Sequence, residues 1–219
     1  MVIVAGGSGS RMRSDIPKQF LEVNGRPILM YTIDRFAQHK LQPQLIVVLP
    51  KSSIATWETL CKQHNFTSPH KIITGGQTRY HSVLNGLNSI NTNEGTVAIH
   101  DGVRMFVPDD CISACFTSAE NLNSGVPCVA SKDSLRKIKN NGNTAVNRED
   151  YKIIQTPQVF DLSLLKRAFE LPYQDSFTDD ASVFENAGHS IHLVEGDYKN
   201  IKITTPEDLL IAETFLKNS

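Results

Sequence analysis

Near the start of this 219-residue chain stands Gly6-Gly7-Ser8-Gly9, followed by Arg11 and Lys18. A backbone almost free of side chains can approach a phosphate closely and aim its N–H groups at it. Two cations close behind such a loop predict a polyphosphate site. Two familiar phosphate loops do not match. The dinucleotide fingerprint G-x-G-x-x-G lacks its third glycine, because Met12 stands there. The Walker sequence G-x-x-x-x-G-K-[ST] is absent as well.

Further candidates follow a later apolar run. Asp101 comes directly after Thr96-Val97-Ala98-Ile99-His100, with Arg104 close behind. A carboxylate there can hold Mg²⁺ against phosphate oxygens, since magnesium is usually bound by one or two carboxylates together with substrate phosphates. Arg104 can brace the loop or meet a phosphate. Lys199 and Lys202 precede the final helix, and one of them can reach the same crevice. Nothing points to covalent catalysis. There is no G-x-S-x-G elbow, and the seven histidines are scattered without H-E-x-x-H or metal-ligand spacing. The expected mechanism aligns two phosphates and stabilises charge at the transferred phosphorus.

Composition narrows the partners. Net charge is −1, so no basic excess points to nucleic acid and any anion site must be local. Cys61, Cys111, Cys115 and Cys128 form no C-x-x-C pair, which disfavours zinc and thioredoxin-like readings. Cys111 and Cys115 read as buried helix residues, and a reducing cytoplasm is expected. The apolar opening is too short for a signal peptide. No apolar run approaches the roughly 20 residues of a membrane span.

The elements that would carry these residues alternate. Met1 to Ala5 and Gln44 to Leu49 read as buried strands, as do Lys71 to Ile73, Thr96 to His100 and Val126 to Ala130. Helices are expected from Pro27 to about Gln38, around Trp57 and Leu60, from Arg79 to Ile90, after Pro108, and from Leu162 to Phe169. A further helix follows Ser176 to Asp180, and a last one is capped by Thr205 with Pro206 in its first turn. This alternation predicts an α/β fold: a Rossmann-like, doubly wound, mostly parallel sheet in one domain spanning residues 1–219. Ligands in such sheets sit beyond the carboxyl ends of the strands. The loops at residues 6–11, 74–78 and 101–104 all lie there. Residues 131–150 break the rhythm. Asn140-Asn141-Gly142-Asn143 between two short polar arms, 135–139 and 144–148, reads as a projecting β-hairpin. An isolated hairpin is marginal in water, so a second copy of the chain is its expected partner, giving a homodimer.

Five motifs in one order carry a specific resemblance. They are Ala5-Gly6-Gly7-x-Gly9-x-Arg11-Met12, Pro17-Lys18-Gln19, His100-Asp101-Gly102-Val103-Arg104, Thr156-Pro157-Gln158 and Asn200-Ile201-Lys202-Ile203-Thr204. Together they resemble the sugar-alcohol-phosphate cytidylyltransferases, most of all the 2-C-methyl-D-erythritol 4-phosphate cytidylyltransferase family of non-mevalonate isoprenoid biosynthesis, across essentially the whole chain. The resemblance implies direct attack of a polyol phosphate on the α-phosphate of CTP, with release of pyrophosphate. It implies Arg11 and Lys18 as catalytic cations. Ala5, Gly6, Gly7 and Gly9 would follow the nucleotide, and Gly76, Gln77 and Ser82 would read cytosine. Asp101 would assist Mg²⁺ and the nucleotide, and Lys202 would contact phosphate. It also implies an arm that embraces a second subunit. Ser134 and Arg148 of that arm, with Thr156 and Thr178, would hold the polyol phosphate, Arg148 coming from the neighbour.

Three positions depart from the family pattern. Ser134 stands for the usual Thr, Met105 for a proline, and Gln77 where an acid can occur. Ribitol-5-phosphate cytidylyltransferase is the nearest rival, and uridylyl or guanylyl transfer is another. A non-catalytic nucleotide-binding protein is a rival of a different class. Asp133-Ser134 before a long polar arm favours methylerythritol phosphate, and the presence of both Arg11 and Lys18 favours an enzyme.

Overall fold

The computed structural model describes residues 1–7, 12, 16–140 and 142–217. Gly9 and Arg11 therefore lie outside the described residues. The chain opens with β1 (Val2–Val4), then a one-turn 3₁₀ helix at Lys18–Phe20. A two-residue pair, β2 (Glu22–Val23) and β3 (Arg26–Pro27), turns through Asn24 and Gly25, both at positive φ. Then come α1 (Ile28–Ala37), β4 (Ile46–Leu49), α2 (Lys51–Gln63), β5 (Lys71–Thr74), α3 (Arg79–Asn88) and β6 (Thr96–Asp101). α4 (Asp109–Leu122), β7 (Ser124–Ala130), β8 (Arg136–Lys139), β9 (Gly142–Ala145), β10 (Lys152–Ile154) and β11 (Gln158–Asp161) follow. The chain ends with α5 (Leu162–Ala168), α6 (Asp180–Asn186), β12 (Leu193–Glu195) and α7 (Pro206–Lys217).

The main sheet runs β10-β7-β11-β6-β1-β4-β5, with β12 also paired to β7. β5, β4, β1 and β6 are mutually parallel, whereas β11 is antiparallel to β6 and β7. The sheet is thus mixed and mostly parallel. Side chains alternate across each strand and so assign the layers. Ile3, Val47 and Ala98 point into one core with α1, α2 and α4; Val2, Val48, Val97 and Ile99 point into the other with α3, α5 and α6. A third, smaller cluster joins Val103, Met105 and Ile203 to Ala212 of α7. Met105, the departure from proline, is buried there.

Two expectations need adjusting. Pro27 is not in the first helical turn; it pairs with Glu22 and caps α1 from an extended conformation. The hairpin exists, but its second arm is β9, Gly142–Ala145, rather than 144–148. Lys139 pairs with Gly142, and Arg148 begins a 3₁₀ turn capped by Asn147. Among the described residues β8 and β9 pair only with each other, and all eight of their residues are exposed, Ile138 to 73%.

Candidate active site

β1, β4, β5 and β6 end on the same side of the sheet, and their following loops enclose a cleft of about 200 Å³. Ala5, Gly6, Gly7, Lys18, Gly76, Gln77, Ser82, Asp101 and Lys202 all line it. Nine of the expected nucleotide and phosphate residues thus converge from four loops. Lys18 lies directly over the glycine loop. A Cβ on Gly7 would fall 2.8 Å from Lys18 Cε, so the missing side chain is what lets the lysine settle there.

The loop before α3 is fixed by its own hydrogen bonds. Ser82 Oγ accepts from Gly76 N at 3.1 Å and donates to Thr78 O at 3.0 Å. Thr78 caps the helix by accepting from His81 N. Ser82 holds this loop closed, and the positive end of the α3 dipole faces the cleft beside Gln77. Gln19 also lines the cleft; it is buried, and its Oε1 has no hydrogen-bond partner among the described residues.

Asp101 is the centre of the electrostatics. Its Oδ2 is 3.1 Å from both Arg104 Nε and Lys202 Nζ, and its Oδ1 is 3.8 Å from Arg79 Nε. Burial by itself would raise its pKa, but Lys202, Arg79 and Arg104 outweigh burial and hold the carboxyl well below the usual carboxylate range. Lys18, Arg79 and Lys202 line the cleft against Asp101 alone, so the described lining carries an excess of positive charge. That balance suits a polyphosphate and explains a local anion site in a chain of near-zero net charge.

A relay behind the cleft fixes Asp101. His100 Nε2 donates to Arg104 O at 2.8 Å, so the neutral ring presents Nδ1 as an acceptor to the Thr156 hydroxyl at 3.0 Å. Thr156 Oγ1 in turn accepts from Asp101 N at 3.1 Å. Burial lowers the His100 pKa to about 4, which keeps the ring neutral near pH 7. Arg104 Nη1 donates to Asn200 O at 2.8 Å, and Asn200 Nδ2 donates to Thr156 O at 2.9 Å. Thr156 is therefore placed against the back of Asp101, not in the cleft lining. Among the described residues Asp101 is the one carboxylate lining the cleft, and no group of three or more His, Cys, Asp or Glu is set to hold a metal. A divalent ion fits here only in the magnesium manner, with one carboxylate and the remaining ligands from phosphate oxygens and water.

Comparison with known proteins agrees with this geometry. The sequence model of one family, described as IspD: 2-C-methyl-D-erythritol 4-phosphate cytidylyltransferase, matches residues 1–218. The chain belongs to this family. It is 47% identical to the 2-C-methyl-D-erythritol 4-phosphate cytidylyltransferase of Phocaeicola vulgatus over 216 residues, covering 99% of this chain and 98% of that one. It superposes on the 4-diphosphocytidyl-2C-methyl-D-erythritol synthase of Anaerococcus prevotii with a TM-score of 0.84 at 29% identity, covering 99% of this chain and 94% of that one. The 2-C-methyl-D-erythritol 4-phosphate cytidylyltransferase of Francisella tularensis gives 0.80 at 31% identity, with 97% of each chain covered.

The residues expected to hold the polyol phosphate are dispersed in a single copy of the chain. Ser134 and Arg148 are exposed beside the hairpin, where Arg148 Nη1 donates to Lys132 O at 2.7 Å. Neither lines the cleft. Thr178 lines a separate cavity of about 30 Å³ next door, with Tyr80, Phe177 and Asp180. Arg79 lines both spaces, and sequence reasoning saw it only as the first residue of a helix. Its one local signal is its place after Gly75-Gly76-Gln77-Thr78. Its partner Asp180 lies 101 positions away and cannot be read locally.

Proposed function

We propose that this chain transfers the cytidylyl group of CTP to 2-C-methyl-D-erythritol 4-phosphate, giving CDP-linked methylerythritol and pyrophosphate in non-mevalonate isoprenoid biosynthesis. The observation that carries the reading is the cleft itself. Lys18 lies on the Gly7 backbone, opposite a buried Asp101 gripped by three cations, in a chain of this family.

A phosphate oxygen of the polyol phosphate attacks the α-phosphorus of CTP. The new P–O bond forms as the bond to the bridging oxygen breaks, and pyrophosphate leaves with that electron pair. Lys18 stabilises the charge that gathers on the α-phosphoryl oxygens, together with Arg11. The backbone of Ala5, Gly6 and Gly7, with Gly9, follows the nucleotide. Gly76 and Gln77 read cytosine from a loop that Ser82 holds in shape. Lys202 meets phosphate from the far side of the cleft. Asp101 would hold Mg²⁺, which when bound offsets charge on the triphosphate.

The working unit is a homodimer joined through the arm. A free-standing hairpin is marginally stable, and Ile138 at its centre is exposed. In the dimer, Arg148 of one subunit would complete the polyol-phosphate site of the other, together with Ser134, Thr156 and Thr178. The cytoplasm is the expected location, in keeping with four free cysteines. No helix among the described residues is long and apolar enough to cross a membrane.

The test is pyrophosphate release with CTP and Mg²⁺, run in parallel with 2-C-methyl-D-erythritol 4-phosphate and ribitol 5-phosphate, with and without EDTA. Turnover with the first substrate, abolished by EDTA, is expected. Turnover with ribitol 5-phosphate alone overturns the acceptor assignment. Nucleotide binding without turnover of either makes the chain a non-catalytic binder.

A further inference from the structure

Arg79 occupies an unusual place. It is the first residue of α3, and its guanidinium reaches across to Asp180, the first residue of α6, with Nη2 donating to Oδ2 at 2.5 Å. The same guanidinium faces Asp101 Oδ1 at 3.8 Å. One side chain thus touches the N-termini of two helices and the end of β6. Asp180 is 1% exposed, and its Oδ1 has no hydrogen-bond partner among the described residues.

Stability alone does not account for this arrangement. Taking a carboxylate out of water is costly, and buried ion pairs are often replaceable by apolar residues without loss. A half-satisfied buried carboxylate is costlier still. Yet α6 is anchored so as to hold Asp180 in place. Gln158 of β11 accepts from Ala181 N and donates to Asp179, which caps the helix.

The geometry at Asp101 suggests the use. Arg104 and Lys202 both hold Oδ2, so Arg79 is the one cation on the Oδ1 side among the described residues. The torsion that turns a carboxylate is broad and soft. A partner on each oxygen fixes the plane, and with it the direction from which Lys202 enters the cleft.

We propose that Arg79, aimed by Asp180, is a further positioning residue for the transfer, fixing the rotation of Asp101 and the approach of Lys202. This rests on the proposed reaction. Turnover is therefore measured with whichever polyol phosphate the wild-type protein uses, so that a wrong acceptor assignment leaves the comparison intact.

The experiment compares Arg79→Met, Asp180→Leu and the double variant. Melting temperature, CTP affinity by calorimetry, and kcat and KM for both substrates are read. Loss of a supporting contact of this kind costs about 10–100-fold. The expected result is a fall of that size in kcat for Arg79→Met, while the Kd for CTP stays within about threefold, as for a group that acts only in the transition state. The double variant should regain most of the melting temperature but not kcat. Recovery of both would make the pair purely structural and overturn the proposal. Weakening of CTP binding by the same factor as kcat would make Arg79 a nucleotide ligand, and would overturn it as well.

Discussion

Lowering the pH should destabilise this protein through one histidine. His100 is fully buried, and burial takes its pKa from 6.5 to about 4. The nearby charges of Asp101, Arg104 and Lys202 largely oppose one another. Because the folded pKa is the lower one, the unfolded chain binds the proton more tightly. The contribution is complete above 6.5 and is lost as pH falls toward 4. By linkage the slope approaches about 1.4 kcal/mol per pH unit inside that window, which amounts to about 2 kcal/mol lost by pH 5 and about 3 kcal/mol below pH 4. Asp101 adds nothing between pH 7 and 5, since its carboxyl stays ionised there. The assay is urea unfolding at 25 °C at pH 7, 6 and 5, for the wild type and His100→Gln. The substitution removes the titrating group and should flatten the slope, whatever uniform stability it costs. Identical slopes in the two proteins would refute the reasoning. So would an NMR titration placing His100 near 6.5.

Three other outcomes follow from the site. Lys18→Ala should lower kcat by about 10²–10³ with little change in CTP affinity, read by steady-state kinetics and calorimetry; a change in KM alone would remove Lys18 from the chemistry. Gly76→Ala should raise the KM for CTP by about tenfold or more, equivalent to about 1.4 kcal/mol, because its Cβ would fall 2.4 Å from His81 Cβ and 3.0 Å from the His81 backbone carbon. Arg148→Ala should weaken the polyol phosphate and spare CTP; equal loss of both in calorimetry would refute the arm's role.

The elements with strong apolar patterns were legible from sequence. Val2 to Val4 and Ile46 to Leu49 announced buried strands, and the loops after them announced the cleft. Strand direction was less legible. Gln158–Asp161 is a short run of two polar residues around Val159 and Phe160 that carries no sign of its direction, and only its connection through the folded chain makes it antiparallel. β2 and β3 escaped because two residues each are too few to show a period. The hairpin's arms were recognised and its register was not, because Asn140 takes positive φ and Gly142 already pairs with Lys139. In the site, residues adjacent in sequence to a glycine loop or to Asp101 were found. What was missed acts at long range: Arg79 through Asp180, and Asn200 through Arg104 and Thr156.

The wiring of Asp101 also bears on when the protein becomes competent during its synthesis. Its counter-charges come from positions 79, 104 and 202. β1 takes its place only when residues 46–48 and 99–101 arrive to flank it. A nascent chain still short of Lys202 has its sheet centre but an incomplete cation cluster around the carboxylate. Asp101 therefore gains its full set of counter-charges only once residue 202 has been added, long after the strands that flank β1.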